Sequence, residues 1–354
     1  MPEISQNAIA ATNGTGNAIE LTSASNTCTA NITNFPHRNL LINGAMNVAQ
    51  RASSGTGTGY KSLDRWNCYA NSASWAWTQS KDTDSPDGFS NSFKIDVTTA
   101  HTPGAADYFT LQQRIEAQDL QHLLNGSAGA KKVTLSFWVK SPKTGNHAVA
   151  LYKPDNTTRI QTKTYSVSAA NTWEKKTITY DGDTAGGGIA NDNGVGLQID
   201  FVLAVGSNYT STDSTSWVNY SDAAWAYGHA VNVTDNTANN FYLTGVQLEV
   251  GDYATDFEHK KYADDYKECC RYYYKPTASG NGNDYTYAGD YGGSDCFVII
   301  DYFTPMRAIP TLTANGYANA SYNYASYTNK ERFQLIFDTV VSGWIHGAQL
   351  EAEL

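Results

Sequence analysis

The chain has 354 residues, enough for two domains and an arm, each domain with a core of its own. Charged residues make up 16% and aromatics 12%, with 24 Tyr and 8 Trp, which suits β-sheet surfaces and long loops better than helical bundles. A formal net charge of -10 argues against a nucleic-acid partner, which needs clustered positive charge, and no apolar run is long enough for membrane insertion.

Residues 1–38 are rich in Thr, Asn, Ala and Gly. Their apolar repeats, such as Ala18-Ile19-Glu20-Leu21, are too short to bury a face, so this segment is expected to be an extended arm ordered by a partner. Its first residues lack the basic-then-apolar order of a secretory signal, which places synthesis in a cytoplasm. The five cysteines (Cys28, Cys68, Cys269, Cys270 and Cys296) are odd in number and lack metal-ligand spacing, so they are read as reduced thiols.

From 39 to 258 the pattern is that of an antiparallel β-sandwich. Val195, Leu197, Ile199, Phe201, Leu203 and Val205 alternate, which assigns six side chains to one sheet face. Val133, Leu135, Phe137 and Val139 repeat the period, as do Phe93, Ile95 and Val97, and a more polar strand covers 177–180. Tyr242, Val246, Leu248 and Val250 keep one register past Gly245, a bulge position. Loops rich in Gly, Asn and Asp separate these strands, which describes an all-β jelly roll. One short helix is expected at 119–124, stopped by Asn125-Gly126.

A second short helix is expected in a connector at 259–275, with Tyr262, Tyr266 and Cys269 or Cys270 on one stripe, running into a strand at Tyr272–Tyr274. Residues 276–354 hold strand candidates at 296–300, 310–313, 333–337 and 344–350, too few for a comfortable closed sandwich. Closure around a symmetry axis is therefore expected, with Tyr272, Tyr273, Tyr274, Phe333, Leu335 and Phe337 as trimer-interface candidates.

No nucleophile elbow, zinc-protease motif or phosphate loop occurs, so no catalytic residue is assigned and no enzyme is expected. His229 is read as a loop or surface residue. No cofactor is called for. Asp181, Asp183 and Asp192 sit in oxygen-rich turns and are weak calcium candidates, which turn chemistry explains as well. Trp75, Trp77, Trp217, Tyr220, Trp225 and Tyr227 are candidates for stacking on sugar faces, with core packing as the competing reading for each Trp.

Two segments give the chain a likeness. Asn39-Leu-Leu-Ile-Asn-Gly-Ala-Met-Asn-Val-Ala-Gln-Arg51 with Leu63-Asp-Arg-Trp66, and Leu243-Thr-Gly-Val-Gln-Leu-Glu-Val-Gly251 running on to Lys275, resemble the opening and closing segments of a jelly-roll, carbohydrate-binding-module-like domain of bacteriophage tail fibres, marine phages included. Phe303–Thr311 and Gln349–Leu354 resemble the C-terminal domain that follows it. The resemblance implies a structural virion protein, a parallel homotrimer. Residues 1–38 would attach it to other virion tail proteins, and its β-domains would contact a host-surface glycan. A decoration or adaptor protein with only virion partners, and a glycan-active enzyme module, are the alternatives.

Overall fold

In the computed structural model, residues 37–72, 74–276, 302–313, 329–332 and 348–354 are described in full. The strands within 19–30, 285–301 and 316–346 are described by their backbone. The chain divides into two units, Met1–Arg38 and Asn39–Leu354. In the first, β1 (Ile19–Thr22) and β2 (Thr27–Ala30) pair antiparallel, Ile19 opposite Ala30.

The second unit is a jelly-roll β-sandwich of two six-stranded antiparallel sheets. Its strands are β3 (Ser54–Thr56), β4 (Asn67–Ala70), β5 (Ala76–Asp82), β6 (Ser92–Thr99), β7 (Tyr108–Glu116) and β8 (Val133–Lys140). They continue with β9 (Gly145–Lys153), β10 (Arg159–Val167), β11 (Glu174–Tyr180), β12 (Val195–Val205), β13 (Val218–Asn219) and β14 (Asn240–Val250). One sheet has the order β13-β10-β9-β12-β7-β4, the other β11-β8-β14-β6-β5-β3.

Period-two alternation builds the core between them. Leu135, Phe137 and Val139 of β8 and Phe93 and Ile95 of β6 meet Leu197, Ile199, Phe201 and Leu203 of β12, all fully buried. Each such side chain removed from water contributes about 1.5–3 kcal/mol. Two bulges change which face a strand presents. β12 shifts register against β7 between Val202 and Ala204, so Leu203 and Ala204 both enter the core and Val205 packs on the opposite face. β14 shifts against β8 between Thr244 and Gln247, with Gly245 at φ 60°. Phe241 and Leu243 face inward before that bulge, Val246 and Leu248 after it. Tyr242 is therefore not in phase with Val246 as its spacing suggests; it lies beneath Lys94 and Lys140 on the outer face, and Val250 is exposed. The short helix is a 3-10 helix, Ala117–Leu123, whose turn ends on Leu124 at φ 55°.

The opening segment lies along β14. Asn39 Nδ2 donates to the Val246 carbonyl at 3.0 Å, its Oδ1 accepts the Leu248 N–H at 3.0 Å, and a Cβ on Gly44 would stand 2.1 Å from the Val246 oxygen. Asn43, at φ 57°, ties the turn together: its Oδ1 accepts the N–H groups of Asn47 and Val48 and its amide donates to the carbonyls of Val48 and Asp64. The opening and closing segments are thus held together by direct hydrogen bonds.

Helix α1 (Tyr262–Cys270) follows, burying Asp265, Cys269 and Cys270. Of the expected stripe the cysteines are buried, but Tyr262 and Tyr266 are not: their rings stack at 6.0 Å and Tyr262 stays 60% exposed. Beyond it, β15 (Tyr273–Tyr274), β18 (Thr311–Thr313) and β23 (Gln349–Glu351) form a three-stranded sheet with β23 in the middle. The backbone-described strands are β16 (Tyr285–Tyr287), β17 (Asp295–Asp301), β19 (Gly316–Ala318), β20 (Tyr322–Asn323), β21 (Arg332–Asp338) and β22 (Gly343–His346). β17 and β21 pair, with Val298 opposite Leu335.

The last residues return to the sandwich. Arg65, 1% exposed, donates to the Glu353 carboxylate and stacks on Tyr272, with its guanidinium carbon 3.4 Å from the ring centre. Arg51 reaches Glu353 at 3.2 Å and covers Tyr273 at 3.7 Å. Arg271 grips the Glu116 carboxylate with two bonds of 2.6 and 2.7 Å. Tyr272 and Tyr273 are each 1% exposed, spent on this packing, so they do not offer the intersubunit surface expected of them. Tyr274 is half-buried; the side chains of Phe333, Leu335 and Phe337 lie outside the described residues.

Candidate ligand cleft

Alternation that buries one face of a strand turns the other outward, and in the β13–β4 sheet that second face forms the floor of a cleft. Tyr108, Thr110, Gln112 and Arg114 of β7, Gln198 and Asp200 of β12, Tyr152 of β9 and Tyr69 of β4 share it. The loops after β12 and β13 add Tyr209, Tyr220, Asp222 and Trp225 along its margin. Together they line a cleft of about 550 Å³. Tyr152 and Tyr69 stand on strands three places apart, so at about 4.8 Å per strand the cleft crosses roughly 14 Å.

Its rings form two groups. Tyr69 stacks on Tyr108 at 5.8 Å, and Tyr108 meets Tyr209 and Trp225 edge-on at 5.2 and 4.9 Å. Tyr152 meets Tyr220 edge-on at 5.2 Å. Ala148 and Ala150 of β9, with Val202, leave room for Trp225, which is 8% exposed, while Tyr69 and Tyr220 are 39% and 37% exposed.

Polar groups lie between the rings. Asp200 is fully buried and accepts Gln198 Nε2 at 2.9 and 3.0 Å and Trp225 Nε1 at 3.3 Å. Burial lifts its carboxyl to about 6, against the lowering pull of those bonds and of Arg114. Arg114 Nε donates to Gln198 Oε1 at 2.8 Å and Nη1 to the main-chain oxygen of Leu354 at 2.6 Å. Thr110 Oγ1 and Gln112 Oε1 are buried and have no hydrogen-bond partner among the described residues.

Of the stacking candidates, Tyr220 and Trp225 line this cleft. Trp75 and Trp77 do not: they are 4% and 3% exposed, packed on Phe109 in the core, as equal parity on a strand with one inward face requires. Trp217 packs against the core and donates Nε1 to the Asp181 carbonyl at 2.6 Å, and Tyr227 is half-buried outside the lining. Tyr69, Tyr108, Tyr152, Tyr209, Asp200 and Gln112 were missed. Their signal was the residues interleaved with the core positions, Tyr108-x-Thr110-x-Gln112-x-Arg114 above all, an alternation as regular as the apolar one.

The calcium candidates do not converge. Asp183 is buried with a protein cation: Lys153, also 0% exposed, places Nζ 3.3 Å from its carboxylate and 3.1 and 2.7 Å from the Gly186 and Gly187 carbonyls, and Arg159 adds Nε at 3.1 Å. Asp181 accepts Gln161 Nε2, and Asp192 accepts the Gly194 N–H. Among the described residues no group of three His, Cys, Asp or Glu is placed to hold a metal ion. His229 lies in a loop, as read, and is half-buried there: its Nδ1 accepts the Ala148 N–H at 3.1 Å, and its ring meets that of His147 at 5.9 Å. Cys68, Cys269 and Cys270 are free and buried.

No family model matches the chain, and no curated protein matches it. Among solved structures it is similar to a putative sugar binding protein from Bacteroides thetaiotaomicron VPI-5482, at 14% identity and TM-score 0.36, over 60% of this chain and 100% of that one. It is also similar to a family 11 carbohydrate-binding module of a Clostridium thermocellum cellulosomal cellulase, at 10% identity and TM-score 0.29, over 57% of this chain and 98% of that one. A third is the enzymatically active domain of tailspike protein 4 of bacteriophage CBA120, at 11% identity and TM-score 0.33, over 61% of this chain but 22% of that one.

Proposed function

We propose that the protein binds a glycan chain in the cleft and does so without cleaving it. The observation that carries this is the lining itself: six aromatic rings with amide, hydroxyl and carboxylate groups between them, in a trough too long for one sugar. Rings meet the apolar faces of pyranoses, and the polar groups meet their hydroxyls. The setting we propose is a virion appendage of the tail-fibre type, supported by the likeness of the segments at 39–51, 63–66 and 243–275. In that setting residues 1–38 dock to other tail proteins and the protein is a homotrimer.

Replacing Tyr69 or Tyr220 by Ala is expected to weaken binding to host-surface polysaccharide by about 1 kcal/mol, roughly fivefold, and to leave the melting temperature unchanged. Calorimetric titration with scanning calorimetry measures both. Undiminished binding in the double variant would remove the cleft from consideration, and release of reducing sugar by the wild type would overturn the non-catalytic reading. Light scattering tests the assembly: three times the 38.5 kDa chain mass is expected, and a stable folded monomer would refute it.

A further inference from the structure

We infer that the glycan this cleft takes is neutral, its hydroxyl groups read by Thr110, Gln112 and Asp200, and that glycans bearing carboxylate or sulfate are excluded. The inference rests on the glycan reading above and adds the chemical class.

Three observations point to it. First, Thr110 and Gln112 lie on the cleft floor, 1% and 4% exposed, and Thr110 Oγ1 and Gln112 Oε1 are buried with no partner among the described residues. Buried polar atoms are nearly always hydrogen-bonded, so two orphans side by side on one strand face of a cleft mark where a ligand supplies the bonds. The Gln112 oxygen accepts and cannot donate, so it calls for an O–H or N–H group. Second, Asp200 on the adjoining strand is an acceptor too, and Asp222 adds a second carboxylate at the rim, held by the Tyr220 hydroxyl at 2.9 Å. Sugar hydroxyls donate to such groups; carboxylate and sulfate offer only further acceptors and like charge.

Third, Arg114 is the one cation in the lining, and it is partly committed. A guanidinium grips an oxyanion through two adjacent N–H groups, either Nε with Nη2 or Nη1 with Nη2. Here Nε is given to Gln198, which closes the first pair, and one Nη1 hydrogen is given to Leu354, so two of its five N–H groups are already used inside the protein. With Asp200 and Asp222 the lining carries a net negative charge on a chain of formal charge -10.

The test is calorimetric titration of the full chain at neutral pH with two sets of oligosaccharides matched in length. One set is neutral (gluco-, manno- and xylo-oligosaccharides), the other acidic (oligogalacturonate and sulfated galactan fragments). At least one neutral member is expected to bind at least about tenfold tighter than any acidic one. Gln112→Leu and Thr110→Val are each expected to weaken it about tenfold with no fall in melting temperature, since each removes an unsatisfied buried atom. Asp200→Asn is expected to narrow the gap between the two sets. An acidic oligosaccharide binding as tightly as the neutral ones, and losing affinity in Tyr69→Ala, would overturn the neutral class while leaving the glycan reading intact. Unchanged affinity in both Gln112→Leu and Thr110→Val would overturn the floor assignment. Failure of both sets to bind would remove the glycan reading and this inference with it.

Discussion

His147 and His229 are held neutral by their surroundings. Burial lowers His147 to about 4, and burial together with its neighbour lowers His229 to about 3. In the unfolded chain both titrate near 6.5, so as pH falls through that value the unfolded state takes up protons the folded state refuses, and stability is lost. Asp64 and Asp200 work in the other direction. Burial raises each to about 6, so the folded state binds protons first and stability grows as pH falls through 6. At about 1.4 kcal/mol per pH unit per proton, the aspartates offset most of the histidines' loss between pH 7 and 5 and leave a net loss of about 1 kcal/mol. Single variants should uncover them. Asp200→Asn is expected to lose about 1 kcal/mol more than the wild type on going from pH 7 to pH 5, and His229→Gln about 2 kcal/mol less. Urea melts at the two pH values measure this, and parallel curves for all three proteins would refute the assignment. Lys153 is a second residue with a definite expectation. Its ammonium already fills the space between Asp183 and two glycine carbonyls, so chelators should leave the melting temperature unchanged. Lys153→Met should cost about 1–3 kcal/mol, by leaving the Gly186 and Gly187 carbonyls without their donor while Arg159 still pairs with Asp183.

Elements were legible where the side-chain period repeats. The alternation in β6, β8 and β12 placed the core strands, and Gly245 announced its bulge. The change of face at each bulge was not legible, because a bulge inserts a residue without altering which residue types follow, and Tyr242 and Val205 changed faces for that reason. Trp75 and Trp77 show the same difficulty at a site. A ring that stacks on a sugar and a ring that packs a core are spelled alike, and only the partner strand decides. The C-terminal clasp was least legible of all, since Glu353 meets Arg65 across 288 positions. Arg65 carries that clasp, with a buried guanidinium between Glu353, Tyr272 and the Arg114 carbonyl. Arg65→Met should therefore cost about 3–5 kcal/mol, more than truncating an exposed ring such as Tyr262. Chemical denaturation of the two variants side by side would show it, and equal losses would count against a buried pair.

At the scale of the molecule, the 39–354 unit is one in which early and late segments are structural neighbours: Asn39 beside β14, Arg51 and Arg65 beside Glu353, Arg114 beside Leu354. Composition announced its β character and low charge, but no local pattern could announce that closure. The clasp has a consequence in time. A ribosome emits this chain from its N-terminus, and β7 and β12 can pair before residues 353 and 354 appear. Until then Arg65 stands in a half-built core with no carboxylate to neutralise it, and Arg114 is without the main-chain oxygen that fixes it at the cleft. The geometry of Arg114 at the cleft thus depends on a contact far along the chain, at residue 354, and not only on the strands that form the cleft walls.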